Sequence, residues 1–156
     1  MFSAMLASSE FNGKPIKSLR TGIMAGSQCP EVLMRRVLYD LGCSEITIAY
    51  GMTETSPISF QSDVNDPVDV RVSTVGRIQP HCEVKIVEHD GSTCAVGQTG
   101  ELWTKGYLVM KGYWNDTEAT QSSIENGWMK TGDLATIDNE GFCRIVGRKK
   151  DMVIRG

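Results

Sequence analysis

Two short apolar runs with helix-spaced residues between them constrain this chain more than any other feature. The run at 22–25 (GIMA) reads as a strand and is ended by Gly26 and Ser27. The run at 45–51 (EITIAYG) carries β-branched residues and closes on glycine, and it reads as a second strand. Between them Pro30 stands where a helix begins, Glu31 falls in its first turn, and Val32, Leu33, Val37, Leu38 and Leu41 recur at helical spacing. Gly42 is a helix stop. A helix-bearing connection of this length allows the two strands to pair in parallel. The loops after the strands, GSQCP at 26–30 and YGMTE at 50–54, then lie at one sheet edge. Open α/β sheets place their ligands at that edge.

The texture changes after Pro57. Residues 59–73 (SFQSDVNDPVDVRVS) read as loop, with polar breaks and Pro67. From Val75 onward the apolar runs shorten to VGRI, CEVKIV, GELWTKG and FCRIVGR, punctuated by glycine and by Asp90–Gly91. This pattern predicts a small antiparallel or mixed β unit. Residues 117–128 predict one short helix closed by Gly127. The fold class is therefore α/β: a partial parallel sheet followed by a small distorted β subdomain.

Bulk properties exclude several classes. The 156 residues are 40% hydrophobic and 22% charged, the balance of a globular chain rather than a disordered one. A net charge of -3 supplies no basic field for a nucleic-acid backbone. No stretch approaches the roughly 18 apolar residues of a membrane span. The apolar start at 1–7 (MFSAMLA) is short and lacks a basic leader. Five cysteines, at 29, 43, 82, 94 and 143, form no CxxC pair, so a reducing compartment is expected, cytoplasmic or, in a eukaryote, mitochondrial.

Three stretches carry candidate chemistry. In YGMTETSP (50–57), Thr53 and Thr55 offer hydroxyls, Gly51 permits close backbone approach, and Glu54 is an oxygen donor that magnesium accepts. Tyr50 offers a face for a base or for packing. A capped strand-end turn and a nucleotide-phosphate site both fit these residues. TGD at 131–133 reads as a turn whose Asp133 either caps or accepts from a ribose diol. GRKKD at 147–151 is a solvated basic turn, or an arginine for a ribose or phosphate oxygen followed by a mobile link. His81 and His89 have no metal-ligand partner at useful spacing.

Four ordered blocks add a resemblance. YGMTETSP, STVGRIQPHCEVKIV, GELWTKGYLVMKGYW and GWMKTGDLATIDNEGFCRIVGRKKDMVIRG together closely resemble the adenylate-forming (AMP-binding) superfamily, and within it the fatty-acyl-CoA synthetase branch. The resemblance covers essentially the whole chain. It implies two half reactions. A carboxylate attacks the α-phosphate of ATP to give acyl-adenylate and pyrophosphate; the thiol of coenzyme A then attacks the acyl carbonyl to give thioester and AMP. It implies magnesium (Mg2+) as cofactor, ATP/AMP and coenzyme A as ligands, and a medium- or long-chain fatty acid as substrate. An adenylation domain serving a carrier protein, or a non-catalytic nucleotide-binding remnant, shares the same motifs.

Residue by residue, Gly26, Ser27 and Gln28 resemble the loop beside adenine and the acyl carboxylate, and Tyr50 with Gly51 the adenine contact. Thr53 resembles the phosphate-contacting hydroxyl and Glu54 the magnesium carboxylate, the two expected catalytic groups. Asp133 resembles the ribose-diol acceptor, Arg148 the ribose-contacting arginine, and Lys150 the hinge residue. Residues 1–57 then correspond to the last part of an α/β sheet subdomain, 58–147 to a small β-rich subdomain, and 148–156 to the hinge and the start of a C-terminal domain, with Gly156 near the pantetheine arm. Family members are much longer. Their phosphate loop would precede Met1 and their lysine-bearing domain would follow Gly156, so the chain is expected to be a fragment, inactive by itself.

Overall fold

The computed structural model describes residues 1–151. Helix α1 (Phe2–Ala7) precedes strand β1 (Thr21–Met24), helix α2 (Glu31–Tyr39), strand β2 (Glu45–Tyr50) and a 3-10 turn (Thr53–Thr55). Strands β1 and β2 pair in parallel, Thr21 opposite Glu45 through Met24 opposite Ile48, with α2 as the crossover. The helix lays Met34 and Val37 on the sheet, both fully buried, and Leu41 follows them just past its end. With Leu6, Met24, Cys43, Ile46 and Ile48 they make one core cluster. Each such aliphatic side chain stabilises the fold by roughly 1.5–3 kcal/mol. Val32, expected on this face, is 72% exposed. At about 100° per residue it projects opposite Val37 and Leu41, whereas Met34 takes the buried position.

The first sheet does not stop at Pro57. Strand β3 (Phe60–Gln61) and helix α3 (Val68–Ser73) occupy the segment that reads as loop, and strand β4 (Arg77–Ile78), from the VGRI run assigned to the β unit, joins this first sheet instead. Strand β3 runs antiparallel to β2, with Tyr50 opposite Phe60, and β4 runs antiparallel to β3. Two-residue strands carry no periodicity to read. The α3 sequence VDVRVS alternates at period two like a strand, yet it follows Pro67 into a helix. The buried Arg71 guanidinium donates to the Ile46 carbonyl at 2.8 Å, which anchors α3 to β2.

The break in strand pairing falls between Ile78 and Cys82. Beyond it lie β5 (Cys82–Val87), β6 (Gly100–Gly106), α4 (Thr117–Ser123), β7 (Ile124–Glu125), β8 (Trp128–Ile137), β9 (Cys143–Arg148) and a 3-10 turn at Lys149–Asp151. These strands form an antiparallel sheet of order β5-β6-β8-β7, with β9 also on β8. The helix expected over 117–128 ends at Ser123. Asn126 and Gly127, both with positive φ, form the two-residue turn of a β7–β8 hairpin in which Glu125 pairs with Trp128. Asn-Gly favours this turn because both residues tolerate left-handed backbone.

Phe60 of the first sheet is buried with Ile86, Leu102, Ala135 and Cys143 of the second, so the two sheets share a core. Backbone bonds from Val75 to Cys143 (2.8 Å) and from Cys143 to Gly76 (2.9 Å) fasten them together. Cys43 and Cys143 are buried, Cys29, Cys82 and Cys94 are half-buried, and all five are free thiols. Among the described residues no helix is long and apolar enough to cross a membrane.

Candidate functional site

The turn after β2 is built by Gly51 and Thr55. A Cβ at Gly51 would fall 1.8 Å from the Pro57 carbonyl oxygen, so only glycine lets the chain fold back there. Thr55 is fully buried; its hydroxyl accepts from the Met52 N–H at 3.2 Å and donates to the Met52 carbonyl at 3.1 Å. Thr55 therefore holds the turn, while Thr53 is exposed and Glu54 half-buried at its tip. A capped turn and a presented hydroxyl and carboxylate are both present, on neighbouring residues.

Asp133 lies within β8 rather than in a separate turn. Between the Glu101–Leu134 and Trp103–Lys130 pairs, Thr131, Gly132 and Asp133 stand opposite Leu102 alone. Such a bulge re-aims side chains. Gly132 takes φ +73°, and the Thr131 hydroxyl donates to the Leu102 carbonyl at 2.8 Å and accepts from the Asp133 N–H at 3.1 Å. The Asp133 carboxylate is nearly buried. It accepts the Tyr50 hydroxyl at 2.5 Å and pairs with Arg148 Nε at 3.2 Å, on the strand directly beside it. Burial pushes the Tyr50 phenol well above its ordinary value, and the Asp133 bond adds to this, so it stays a proton donor. The Tyr50 ring meets Phe60 edge-on, with centroids 6.1 Å apart.

Both sheets contribute to an open cleft of about 590 Å³ at this edge. Gly26, Ser27, Gln28, Tyr50, Gly51, Asp133 and Arg148 all line it. The loops that follow β1 and β2 thus reach one cavity. Thr53, Glu54 and Lys150 do not line it. Lys150 lines a second cleft of about 690 Å³, which Met52 and Thr131 share with the first. Tyr113 also lines the second cleft and donates its hydroxyl to Glu54 Oε1 at 2.8 Å. The expected position of Gly156 lies outside the described residues. Sequence reading missed Thr131, although it stands in the TGD motif, and it missed Tyr113, which no local signal ties to Glu54.

The chain is similar to proteins and solved structures of one family. The family model described as AMP-binding enzyme matches residues 1–114. A putative acyl-CoA synthetase YngI of Bacillus subtilis is 52% identical over 160 aligned positions, covering 100% of this chain and 29% of that protein. The mitochondrial medium-chain acyl-CoA ligase ACSF2 of Bos taurus is 41% identical, covering 100% of this chain and 26% of its own length. The chain thus spans under a third of the curated relatives it matches. An O-succinylbenzoate coenzyme A synthetase (MenE) from Bacillus subtilis, solved with ATP and magnesium ion, superposes with a TM-score of 0.85 at 32% identity, covering 99% of this chain and 31% of that one. By the extent of the family match and the shared fold, the chain belongs to the AMP-binding enzyme family.

Proposed function

We propose that this chain supplies part of the nucleotide site of an ATP-dependent acid:CoA ligase that works through an acyl-adenylate. The observation that carries this reading is the Tyr50–Asp133–Arg148 cluster, set in one cleft opposite the Gly26–Ser27–Gln28 loop. An ionised carboxylate has about four acceptor positions. Tyr50 and Arg148 take two on Asp133, which leaves acceptors for a ribose diol. Gly51 lets a base approach bare backbone beside the Tyr50 ring. Arg148 is 74% exposed and free to reach a ribose or phosphate oxygen.

Thr53 and Glu54 present a hydroxyl and a carboxylate one turn beyond the cleft. Among the described residues no group of three or more His, Cys, Asp or Glu could hold a metal alone. A single carboxylate fits magnesium that is shared with nucleotide phosphates, the usual arrangement for this cation. Magnesium bound there would supply charge neutralisation on the phosphoryl oxygens. Glu54 would hold it, and Thr53 would donate to a phosphate oxygen. In the first half reaction the substrate carboxylate bonds to the α-phosphorus as pyrophosphate leaves. In the second, the coenzyme A thiolate bonds to the acyl carbon as AMP leaves. The nucleophilic sulfur belongs to the co-substrate, so the chain's own thiols have no step to perform. Lys150, beside the second cleft, takes the hinge role.

For the acid we favour a medium- or long-chain fatty acid, supported by the acyl-CoA ligases among the relatives. The test is acid-dependent exchange of pyrophosphate into ATP by the complete polypeptide, with AMP release measured with and without coenzyme A. Fatty acids of graded length are run beside aromatic acids. Absence of acid-dependent exchange with every acid tried would remove the adenylation reading. Activity on aromatic acids alone would remove the fatty-acid assignment.

A further inference from the structure

The segment after β6 reaches back to the turn that carries Glu54. The Met110 N–H donates to the Glu54 carbonyl at 2.9 Å, and the Tyr113 hydroxyl donates to Glu54 Oε1 at 2.8 Å. Tyr113 is itself braced. Its N–H donates to Thr120 Oγ1 at 2.9 Å, and that hydroxyl donates to the Asp116 carbonyl at 2.8 Å. The Asp116 carboxylate caps α4 by accepting from the Ala119 N–H at 2.8 Å. Gly112 packs so closely on Thr120 that a Cβ would fall 2.8 Å from Thr120 Cγ2. The phenol thus arrives at Glu54 from a fixed loop. Among the described residues, Glu54 Oε2 makes no hydrogen bond or ion pair.

We propose that Tyr113 is a positioning residue for Glu54: by occupying Oε1 it fixes the carboxylate rotamer and leaves Oε2 as the oxygen offered to a nucleotide-bound divalent cation. This rests on the reading of Glu54 given above. Magnesium demands near-octahedral geometry at about 2.0–2.1 Å, so a carboxylate that swings is a poorer ligand than one already held. Groups that orient a metal ligand typically contribute about 10–100-fold to metal affinity. The Tyr113–Glu54 bond is solvent-accessible, which places it at the lower end.

The test uses the complete polypeptide, with manganese(II) and ATP as probes. Free and bound manganese are read by electron paramagnetic resonance. Tyr113→Phe keeps the ring and is expected to weaken manganese binding about tenfold. Pyrophosphate exchange is expected to fall at limiting magnesium and to recover at high magnesium. Thioester formation from supplied acyl-adenylate is expected to stay at the parent level. Unchanged manganese affinity in Tyr113→Phe, with weakened affinity in Glu54→Gln, would overturn the positioning role and leave the Glu54 reading standing. Unchanged affinity in both variants would remove the Glu54 reading and this inference with it. An equal fall of both half reactions with a lowered melting temperature, unrescued by magnesium, would show Tyr113 to be structural and overturn the proposal.

Discussion

Replacing Asp133 by alanine separates its structural from its functional work. In the parent, the Tyr50 hydroxyl points from a largely buried ring to Asp133 Oδ2 at 2.5 Å. Alanine leaves that hydroxyl without its acceptor, at a cost of about 2 kcal/mol. The Arg148 pair adds little, because that side chain is 74% exposed and an ion pair so open to water contributes at most about 1 kcal/mol. Stability should therefore fall by roughly 2–3 kcal/mol, read as a lower urea midpoint of the complete polypeptide. Adding Tyr50→Phe to Asp133→Ala removes the stranded hydroxyl and should recover about 1–2 kcal/mol, a coupling typical of contacting residues. ATP binding should behave differently. Loss of the proposed ribose acceptor costs about 1–3 kcal/mol, or roughly 5–150-fold in affinity, and Tyr50→Phe cannot restore it. Calorimetric ATP titration beside urea unfolding makes the comparison. A double variant no more stable than Asp133→Ala would refute the hydrogen-bond reasoning. A double variant that binds ATP like the parent would refute the ribose assignment.

Two glycines near the site should respond unequally to alanine. Gly51→Ala drives a Cβ into the Pro57 carbonyl and should cost roughly 3 kcal/mol or more. Gly26→Ala meets nothing within 4 Å, and at φ +85° should cost about 1–2 kcal/mol, a contrast measurable by urea unfolding. Burial pushes the Cys143 thiol up to about 12. Because the folded value is the raised one, that contribution is complete below about pH 8.5 and lost as pH rises toward about 12. Cys143→Ala should flatten this part of the alkaline fall in melting temperature. At pH 8 a thiol reagent should leave the buried Cys43 and Cys143 unlabelled until denaturant is added, as mass spectrometry can read. The 156-residue chain alone should show no acid-dependent pyrophosphate exchange. Among its described residues the 590 Å³ cleft offers one exposed cation, Arg148, against a polyphosphate; exchange at enzyme-like rates would refute this.

Local pattern was enough to place β1, α2 and β2, because burying one helix face and two strand runs leaves a periodic trace over adjacent residues. It was enough, too, to bring the 26–28 loop and Tyr50–Gly51 to one sheet edge, since parallel pairing dictates where the loops emerge. The phase of α2 was legible but misread: the helical period itself sets Val32 opposite Val37 and Leu41 and Met34 beside them, and burial follows that phase. Strand β3 and helix α3 were not legible, because two-residue pairing and contact with β2 override an alternating sequence. The TGD motif marked Asp133, but its aim comes from a bulge that exists only when β8 lies against β6. The bonds that make the site are the most distant of all. Tyr50 and Asp133 are 83 residues apart, and Glu54 and Tyr113 are 59 apart. Each such pair forms because two sheets share the core around Phe60. Nothing in the spacing of residues along the chain encodes which side chains that packing brings within hydrogen-bond reach.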